Sequence, residues 1–351
     1  MFLNWKIRLF SMLLLKPQKL EVGDTIAIIS PSAGLAAIIP HRLDNAIKFL
    51  ENQGYKIKEF SCTRKNDGWQ AASAEERAKN IMDAFKDKKV KAIIASIGGT
   101  VANQTLRYLD YKIIKKNPKI FCGYSDNSNL HYALFTQTGL VTFYGPCAMT
   151  QFGEYPEPLN YTMEHFCKAL TLTKPMGKIT PSEEWTDETL DWGNKLDLER
   201  PRKMKKNPGF EWLRKGKANG QIIGGCLSSI IHLSGTKYWP DYKEKILFLE
   251  IPEGQEFNKG EPLAYVDWYL EELYLLNTFS QIKGLVFGRP FKYSDEDTKI
   301  LKNKILERTK DYDFPILFGA DIGHTDPMIT IPIGTKVALD SETGTFEFLE
   351  N

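Results

Sequence analysis

The sequence has few of the features that mark disulfide, metal or membrane proteins. Its five cysteines are scattered without a C-x-x-C pair, and its five histidines show no ligand spacing with cysteine or with each other. We therefore expect neither a disulfide framework nor a metal site. Instead, we expect a cytoplasmic protein whose cysteines are reduced. No apolar run approaches the roughly 20 residues that cross a bilayer, so no membrane partner is expected.

An excess of charge of one sign is also missing. Lys and Arg total 46 and Asp and Glu total 44, so the net charge is +2. This balance gives no reason to expect a nucleic-acid partner. With 42% hydrophobic and 26% charged residues, the chain has the composition of a globular protein. Its 351 residues suggest two domains, at about 150 residues for each.

The N-terminus is apolar, but its pattern does not predict a signal peptide. Its longest uninterrupted apolar run is Met12 to Leu15, whereas a signal peptide needs roughly 7–15 apolar residues. The globular pattern begins at Leu20. We therefore expect residues 1–19 to be an extension and favour Met12 as the initiator. The alternative is a short extension that packs or frays.

Residues 20–159 alternate between apolar strands and amphipathic helices. Near-continuous apolar strands separated by helices predict a parallel sheet that helices cover on both faces. In such folds, ligands bind at the carboxyl ends of the strands. Three loops gather at that edge, at 30–34, 97–100 and 123–126, and predict a site in this α/β domain.

Residues 160–218 have a different composition. We expect a helix near 160–172 and then a long loop that contains Trp185, Trp192 and Trp212. The stretch 200–217 holds eight basic residues and one acidic residue. Such a stretch is either a solvated face or a surface that attracts an anionic substrate.

Residues 219–351 predict a smaller α/β domain with mixed strands. Gly224-Gly225 is expected to open a helix, and the tail after residue 328 reads as antiparallel strands. Neither G-x-G-x-x-G nor the Walker pattern occurs. That absence disfavours a nucleotide cofactor, and we expect no cofactor.

Ser125 is the candidate nucleophile. It lies between an apolar strand and a helix expected to start at about Asp126, where the positive end of the helix favours a nearby oxyanion. The segment Gly123-Tyr124-Ser125-Asp126-Asn127 lacks the second glycine of the G-x-S-x-G nucleophile elbow. The alternative is that Ser125 or Asp126 simply caps the helix.

A serine nucleophile needs a base and a group that orients it. His324 is the best candidate base, because it lies in a glycine-flanked loop after a strand. Glu250 is the candidate acid, since it is the only charge within Ile246 to Ile251 and a carboxylate there is costly unless it is partnered. The alternatives are an edge strand with Glu250 facing water, and Asp326 as the acid.

The glycines at 98 and 99 offer a place for an oxyanion. They end the strand before the one that carries Ser125, and glycine lets backbone N–H groups approach a ligand. We expect an oxyanion hole formed by the N–H groups of Gly99 and Asp126, with Gly98 also contacting substrate. The alternative is a plain strand-to-helix turn.

Seven ordered blocks carry a resemblance to a known family: IAIISPSAG (26–34), SIGGTVANQTLRYLDY (96–111), GYSDNSNLHYAL (123–134), GQIIGGCLSSI (220–230), ILFLEIPEG (246–254), GRP (288–290) and GADIGHTDPMITIPIG (319–334). Together they resemble the LD-carboxypeptidase family of serine peptidases. The Trp-bearing segment SEEWTDETLDWGN (182–194) is more similar to its microcin C immunity branch. The resemblance covers roughly residues 19–345.

The resemblance implies a Ser125–His324–Glu250 triad, with oxyanion donors at Gly99 and Asp126. It implies a flavodoxin-like N-terminal domain, a metal-free and cofactor-free site between the two domains, and a homodimer. It places a tryptophan that stacks on a nucleobase at Trp192; a rival is Trp185, which would pin the loop to the body of the protein.

One departure from the family pattern bears on whether the family's substrate selectivity carries over to this chain. The family usually has Asn after the second glycine of the Gly-Gly pair, and Cys226 stands there in this chain. The side-chain contact of that Asn is therefore absent or changed.

Three functions follow from the sequence. The first is a serine peptidase that cleaves the amide of a peptidyl or aminoacyl nucleotide, as in microcin C immunity. The second is a murein tetrapeptide LD-carboxypeptidase that releases D-alanine. The third, of another class, is a non-catalytic two-domain protein that binds a small molecule.

Overall fold

The computed structural model describes residues 14–256 and 258–350. Residues 1–13, including Met12, lie outside the described part. The described end of the expected extension is packed against the body, because Leu15 forms a parallel bridge with Leu140 and its N–H donates to the Gly139 carbonyl at 2.8 Å. Residues 14–19 of the predicted extension therefore pack against the protein.

The described strands alternate with helices along most of the chain. They are β1 (Thr25–Ile29), β2 (Lys56–Glu59), β3 (Val90–Ala95), β4 (Ile120–Gly123), β5 (Phe143–Tyr144), β6 (Gly177–Lys178), β7 (Glu184–Trp185), β8 (Lys205–Lys206), β9 (Glu211–Arg214), β10 (Lys217–Cys226), β11 (Ile246–Glu250), β12 (Gly284–Gly288), β13 (Ile316–Ala320), β14 (Ile331–Pro332), β15 (Lys336–Asp340) and β16 (Thr345–Phe348).

The described α-helices are α1 (Leu35–Ile38), α2 (Pro40–Asn52), α3 (Ala74–Lys86), α4 (Tyr111–Lys116), α5 (Ser128–Thr138), α6 (Asn160–Leu170), α7 (Leu227–Ile230), α8 (Leu263–Leu275) and α9 (Asp295–Arg308). Single 3-10 turns include Ser125–Asn127, directly before α5. Helix α3 shows why these segments are helical: Ser73 and Glu76 form a capping box at its start, and Ile81 and Phe85 on one face are buried. None of these helices is long and apolar enough to cross a bilayer.

The first sheet has the order β14-β5-β4-β3-β1-β2. Strands β1 to β5 pair in parallel, as the alternating apolar strands predict. The edge strand β14 comes from the C-terminal tail and pairs antiparallel with β5, Ile331 opposite Tyr144. The tail strands are therefore antiparallel as predicted, but they are divided between the two sheets, because β15 and β16 pair with each other in the second sheet.

The second sheet has the order β6-β16-β15-β10-β11-β12-β13-β9. Its central strands β10 to β13 are parallel, while β15 and β9 flank them antiparallel. Mixed strands in this half of the chain are thus confirmed. Strand β11, which carries Glu250, lies between β10 and β12 and is buried along its length. The alternative of an exposed edge strand is therefore wrong.

Two local predictions need correction. Gly224 and Gly225 lie inside β10, and the helix after them begins only at Leu227. A Cβ at Gly224 would collide with the backbone of Phe248, so glycine permits close strand packing there rather than a helix start. The long loop expected after residue 172 contains the paired strands β7 and β8, and Trp212 belongs to β9.

Candidate functional site

A pocket of about 270 Å³ lies where the two sheets and the segment 150–202 meet. Five of the residues predicted from the sequence line it: Gly98, Gly99, Ser125, Trp192 and His324. The other two, Asp126 and Glu250, are buried beside it. The structure therefore brings together loops that are far apart in the sequence.

Ser125 lies in the turn between β4 and α5. It has φ +64°, a left-handed conformation that is rare for residues other than glycine. Its N–H donates to the Tyr144 hydroxyl at 3.3 Å, and its carbonyl accepts from the Ser128 hydroxyl at 2.6 Å. Because the 3-10 turn precedes α5, the helix starts later than predicted. The strained turn holds the serine at the mouth of the first sheet.

The loop after β3 lies directly against Ser125. A Cβ at Gly98 would be 2.7 Å from Ser125 Cβ and 2.9 Å from its Oγ, so a side chain there would displace the serine. Gly99 has φ +149°, which favours glycine. Throughout the described ranges, neither the Gly99 nor the Asp126 N–H has a hydrogen-bond acceptor. Both are available to a ligand.

The Asp126 side chain holds this loop in place. Its Oδ2 accepts from the Ser32 hydroxyl at 2.5 Å and from the Ala102 N–H at 3.0 Å. Burial raises the pKa of Asp126, and these hydrogen bonds oppose that rise. No side-chain cap hydrogen bond occurs at the described start of α5. The capping alternative for Asp126 is therefore not supported, since its carboxylate joins two loops instead.

His324 and Glu250 form a hydrogen-bonded pair behind the pocket. His324 Nδ1 lies 2.8 Å from Glu250 Oε2, and Tyr144 donates its hydroxyl to Glu250 Oε1 at 2.6 Å. Glu250 is completely buried, and these two donors account for the tolerance of its charge there. Sequence reasoning missed Tyr144, which is one of several buried tyrosines and carries no motif of its own.

The other ring nitrogen of His324 faces a second carboxylate. Nε2 lies 3.5 Å from Glu253 Oε2, and no described hydrogen bond joins the imidazole to Ser125 Oγ. Burial opposes the charged imidazolium, but the carboxylates of Glu250, Glu253 and Asp326 outweigh it and raise the pKa of His324 to about 9. The ring is therefore held mainly as imidazolium at neutral pH.

Asp326, the alternative acid, is engaged elsewhere. Its Oδ2 lies 2.9 Å from the Arg202 guanidinium, and its Oδ1 accepts from Gln151 at 3.1 Å. It has no described hydrogen bond to His324. The geometry therefore pairs His324 with Glu250.

Ion pairs also line the pocket, among them those of Arg42 and Arg202. Arg42 donates to the carbonyls of Met149 at 2.8 Å and Thr150 at 2.6 Å, and pairs with Asp197 at 3.2 Å. Arg202 lies 2.7 Å from Glu154. The basic stretch 200–217 is thus not simply a solvated face, because the partly buried Arg202 lies between the carboxylates of Glu154 and Asp326. Sequence reasoning missed Arg42, whose helix looked merely amphipathic.

The two tryptophans of the middle segment have different surroundings. Trp192 lines the pocket, with the Arg42 guanidinium 4.3 Å from its ring centroid. Trp185 lies away from the pocket lining, with Arg289 at 4.6 Å from its ring. Arg289 in turn pairs with buried Asp321 at 2.7 Å. Trp185 therefore belongs to a packed structural cluster.

Cys226 lies on β10 directly beside Glu250. Its N–H donates to Ser128 Oγ at 3.0 Å, and its Sγ lies 3.5 Å from Ser228 Oγ. Burial, together with the nearby charge of Glu250, raises the pKa of the thiol. The side chain is buried and does not line the described pocket. Across the described ranges, no group of three or more His, Cys, Asp or Glu residues is placed to hold a metal ion.

Comparisons with known proteins show the family of the chain. Two family models match, the LD-carboxypeptidase N-terminal domain over residues 26–145 and the LD-carboxypeptidase C-terminal domain over residues 219–339. The microcin C7 self-immunity protein MccF of Escherichia coli is 32% identical, over 94% of this chain and 94% of its own length.

Solved structures give the same result. MccF in complex with glutamyl sulfamoyl guanosine has a TM-score of 0.88 and 31% identity, and the match covers 95% of this chain and 98% of that one. An MccF-like protein from Bacillus anthracis has a TM-score of 0.86 and 35% identity, over 96% of this chain and 100% of that one. The chain therefore belongs to the LD-carboxypeptidase family and is a serine-type peptidase or amide hydrolase.

Proposed function

We propose that this enzyme hydrolyses the amide-type bond between an acyl residue and a nucleotide, in a small peptidyl or aminoacyl nucleotide. The observation that carries the proposal is the meeting of Ser125, in its strained turn, with the His324–Glu250 pair and Trp192 around one pocket. Because the family consists of peptidases, we do not propose the third function predicted from the sequence, a non-catalytic protein that binds a small molecule.

In the first step, the Ser125 hydroxyl attacks the acyl carbonyl while neutral His324 accepts its proton at Nε2. Glu250 holds the ring through Nδ1 and stabilises the imidazolium that forms. The Tyr144 hydroxyl fixes Glu250 and also receives the Ser125 N–H. One phenol thereby holds both the acid and the backbone of the serine. The Ser125–His324 hydrogen bond is expected to form when substrate binds, because catalytic hydrogen bonds are often long in free enzymes.

The carbonyl oxygen becomes negative as the bond to Ser125 forms. The N–H groups of Gly99 and Asp126 are the proposed donors to it, since both lack an acceptor in the described structure. Gly98 leaves room for the tetrahedral centre, because a side chain there would occupy the space of Ser125. Fixed donors of this kind stabilise the transition state without reorganisation.

The remaining steps return the enzyme to its starting state. The imidazolium gives its proton to the leaving nitrogen, and the acyl group stays on Ser125. Water then attacks the ester with His324 as base, and the acid product leaves as the Ser125 hydroxyl is restored. Each proton accepted by His324 is thus given up within the cycle.

The nucleotide end of the substrate is proposed to lie against Trp192. Indole stacks on any nucleobase, and Arg42 supports the ring from within the protein. The solved MccF complex with glutamyl sulfamoyl guanosine supports this substrate class. Arg42 and Arg202 are already paired with carboxylates, so stacking rather than a free cation is expected to supply the binding.

A direct competition tests the proposal. Purified enzyme is offered leucyl sulfamoyl adenosine and a murein tetrapeptide, and mass spectrometry follows the nucleoside sulfamate and D-alanine released. We expect kcat/KM for the nucleoside substrate to be at least about 5-fold higher, which is the lower end of what one stacking contact contributes. Release of D-alanine alone would favour the murein carboxypeptidase, and cleavage of neither would overturn the proposal.

We propose a homodimer in the cytoplasm, where aminoacyl nucleotides form. Light scattering of the purified chain gives its mass in solution, and a mass of one chain of 40.1 kDa would contradict the dimer.

A further inference from the structure

The charges that line the pocket are almost all paired. Asp197 pairs with Arg42, Asp326 and Glu154 pair with Arg202, and Glu188 pairs with Arg200 outside the pocket. Glu253 differs, because among the described residues its carboxylate has no Lys or Arg partner. Its contact is His324 Nε2, at 3.5 Å. The single ring of His324 is thus shared by two carboxylates, those of Glu250 and Glu253, so Glu253 has no cation of its own among the described residues of the pocket.

The position of this carboxylate relates it to the reacting atoms. In the proposed mechanism, Nε2 of His324 receives the proton of Ser125, so a group beside Nε2 also lies beside the bond that is cleaved. The side chain of Glu253 is 40% exposed and lines the pocket. Its backbone is fixed by a bridge to Gly260. The carboxylate is thus both anchored and accessible to a ligand.

Bond connectivity shows which part of the substrate meets Glu253. The α-carbon of the acyl residue is bonded directly to the carbonyl that Ser125 attacks, so its amino group and side chain stay close to Nε2. The nucleobase is separated from that carbonyl by the linking group and the ribose. It is proposed to lie at Trp192, on the separate segment 188–202. Glu253 therefore faces the acyl residue.

We propose that Glu253 makes the acyl subsite selective for a positively charged acyl residue and against an acidic one. The proposal rests on the proposed function, since it names the substrates of that same site. A carboxylate in a partly enclosed pocket attracts a cation more strongly than it would in water and repels a second carboxylate. An acidic acyl group, such as the glutamyl group in the solved MccF complex, is then the poor substrate here.

Three substrates that differ only in the acyl side chain test this directly: lysyl, norleucyl and glutamyl sulfamoyl adenosine. For the unmodified enzyme we expect kcat/KM to fall in that order, with each step on the order of 10-fold, the size of a charge-assisted contact. Glu253→Gln should bring the three values within about 3-fold of one another, and Glu253→Lys should reverse the order. The ratios are compared within each variant, so any effect on His324 cancels.

Glu256→Gln is the matched control, because Glu256 lies on the same loop, is exposed and pairs with Lys259. It should keep the order and spacing of the unmodified enzyme. Equal values for the three substrates in the unmodified enzyme, or an order that Glu253→Gln leaves unchanged, would overturn the inference. That result would leave the proposed function standing, whereas failure to cleave any of the three would remove the function itself.

Discussion

The hydroxyl of Tyr144 lies 2.6 Å from Oε1 of Glu250 and donates its hydrogen to it. The hydroxyl oxygen of Tyr144 in turn accepts the N–H of Ser125 at 3.3 Å. The candidate acid and the candidate nucleophile, on different sheets, are therefore connected by a single phenol. Burial and the Glu250 charge both raise the pKa of Tyr144, so the phenol keeps its proton and can serve this role throughout the working pH range.

Tyr144→Phe should lower kcat by roughly 10- to 100-fold, because it removes one donor from Glu250 and the acceptor of the Ser125 N–H. An unsatisfied buried carboxylate oxygen should also cost about 1–3 kcal/mol of stability. Tyr132→Phe is the control, since Tyr132 is buried and bonds to Tyr242 at 2.9 Å. Steady-state kinetics and chemical denaturation separate the two effects. A Tyr144→Phe enzyme with full kcat would contradict the connection.

Ser125→Gly should abolish hydrolysis and raise stability. Glycine relieves the strain of φ +64°, which costs a residue with a side chain about 1 kcal/mol. Ser125→Ala should also abolish hydrolysis but keep the strain. Thermal unfolding is expected to place the glycine variant above the alanine variant. Retained turnover of more than a few per cent in either variant would remove Ser125 from the role of nucleophile.

His324→Ala should lower kcat by roughly 10⁶-fold and Glu250→Gln by roughly 10⁴-fold, as for base and orienting acid in other serine peptidases. Asp326→Asn is the control acid, because its side chain bonds to Arg202 and Gln151. It should affect kcat far less than Glu250→Gln. If instead Glu250→Gln kept a normal kcat while Asp326→Asn lost it, the acid would have to be reassigned.

The activity should depend on pH through His324. Its pKa is raised to about 9, and only the neutral ring accepts a proton, so kcat/KM should rise with pH towards a plateau above that value. Glu250, Glu253 and Asp326 face the ring, and Asp326 is itself paired with Arg202. Glu253→Gln should move the midpoint to lower pH. An unchanged midpoint in that variant would contradict the assigned cause.

Stability should change in the opposite direction over the same range. A folded-state pKa above the ordinary value of 6.5 means that folding favours the imidazolium. This stabilisation is complete below about pH 6.5 and is lost as pH rises through about 9. The free energy of unfolding, measured by denaturation below pH 6.5 and above pH 9, should therefore fall in the unmodified enzyme. In His324→Ala this fall should disappear.

Trp192→Ala should reduce kcat/KM for a nucleotide-bearing substrate by roughly 5- to 150-fold, since one stacking contact contributes about 1–3 kcal/mol. A substrate without an aromatic leaving group should lose little. Trp185→Ala is the matched control, because Trp185 packs on Arg289 outside the pocket lining. It should reduce stability without changing the preference between substrates. Equal losses for both kinds of substrate in Trp192→Ala would assign Trp192 to packing alone.

Much of the fold could be predicted from the sequence because the strands β1, β3, β4, β11 and β13 are apolar and bounded by turn residues. Local pattern could not show that Ile331–Pro332 pairs with β5 of the first sheet, since the pairing depends on distant residues. It also misjudged Gly224 and Gly225, because only the packed Phe248 reveals why the strand needs glycine there.

The candidate site was predictable where a residue broke its local pattern. Glu250 is a lone charge in an apolar strand, and His324 lies in a glycine-flanked loop, so both were visible. Tyr144, Arg42 and Glu253 were not, because an aromatic in a strand, an arginine on a helix and a glutamate in a loop are ordinary locally. Their roles depend on what the fold places opposite them.

The most direct test of the account is the chemical identity of the nucleophile. The folded enzyme is treated with a fluorophosphonate, digested and sequenced by mass spectrometry. We predict one stoichiometric adduct on Ser125, absent from Ser125→Ala, strongly slowed in His324→Ala and prevented by a bound aminoacyl nucleotide. An enzyme that hydrolyses its amide substrate but carries no adduct, or carries it on another residue, would contradict the account.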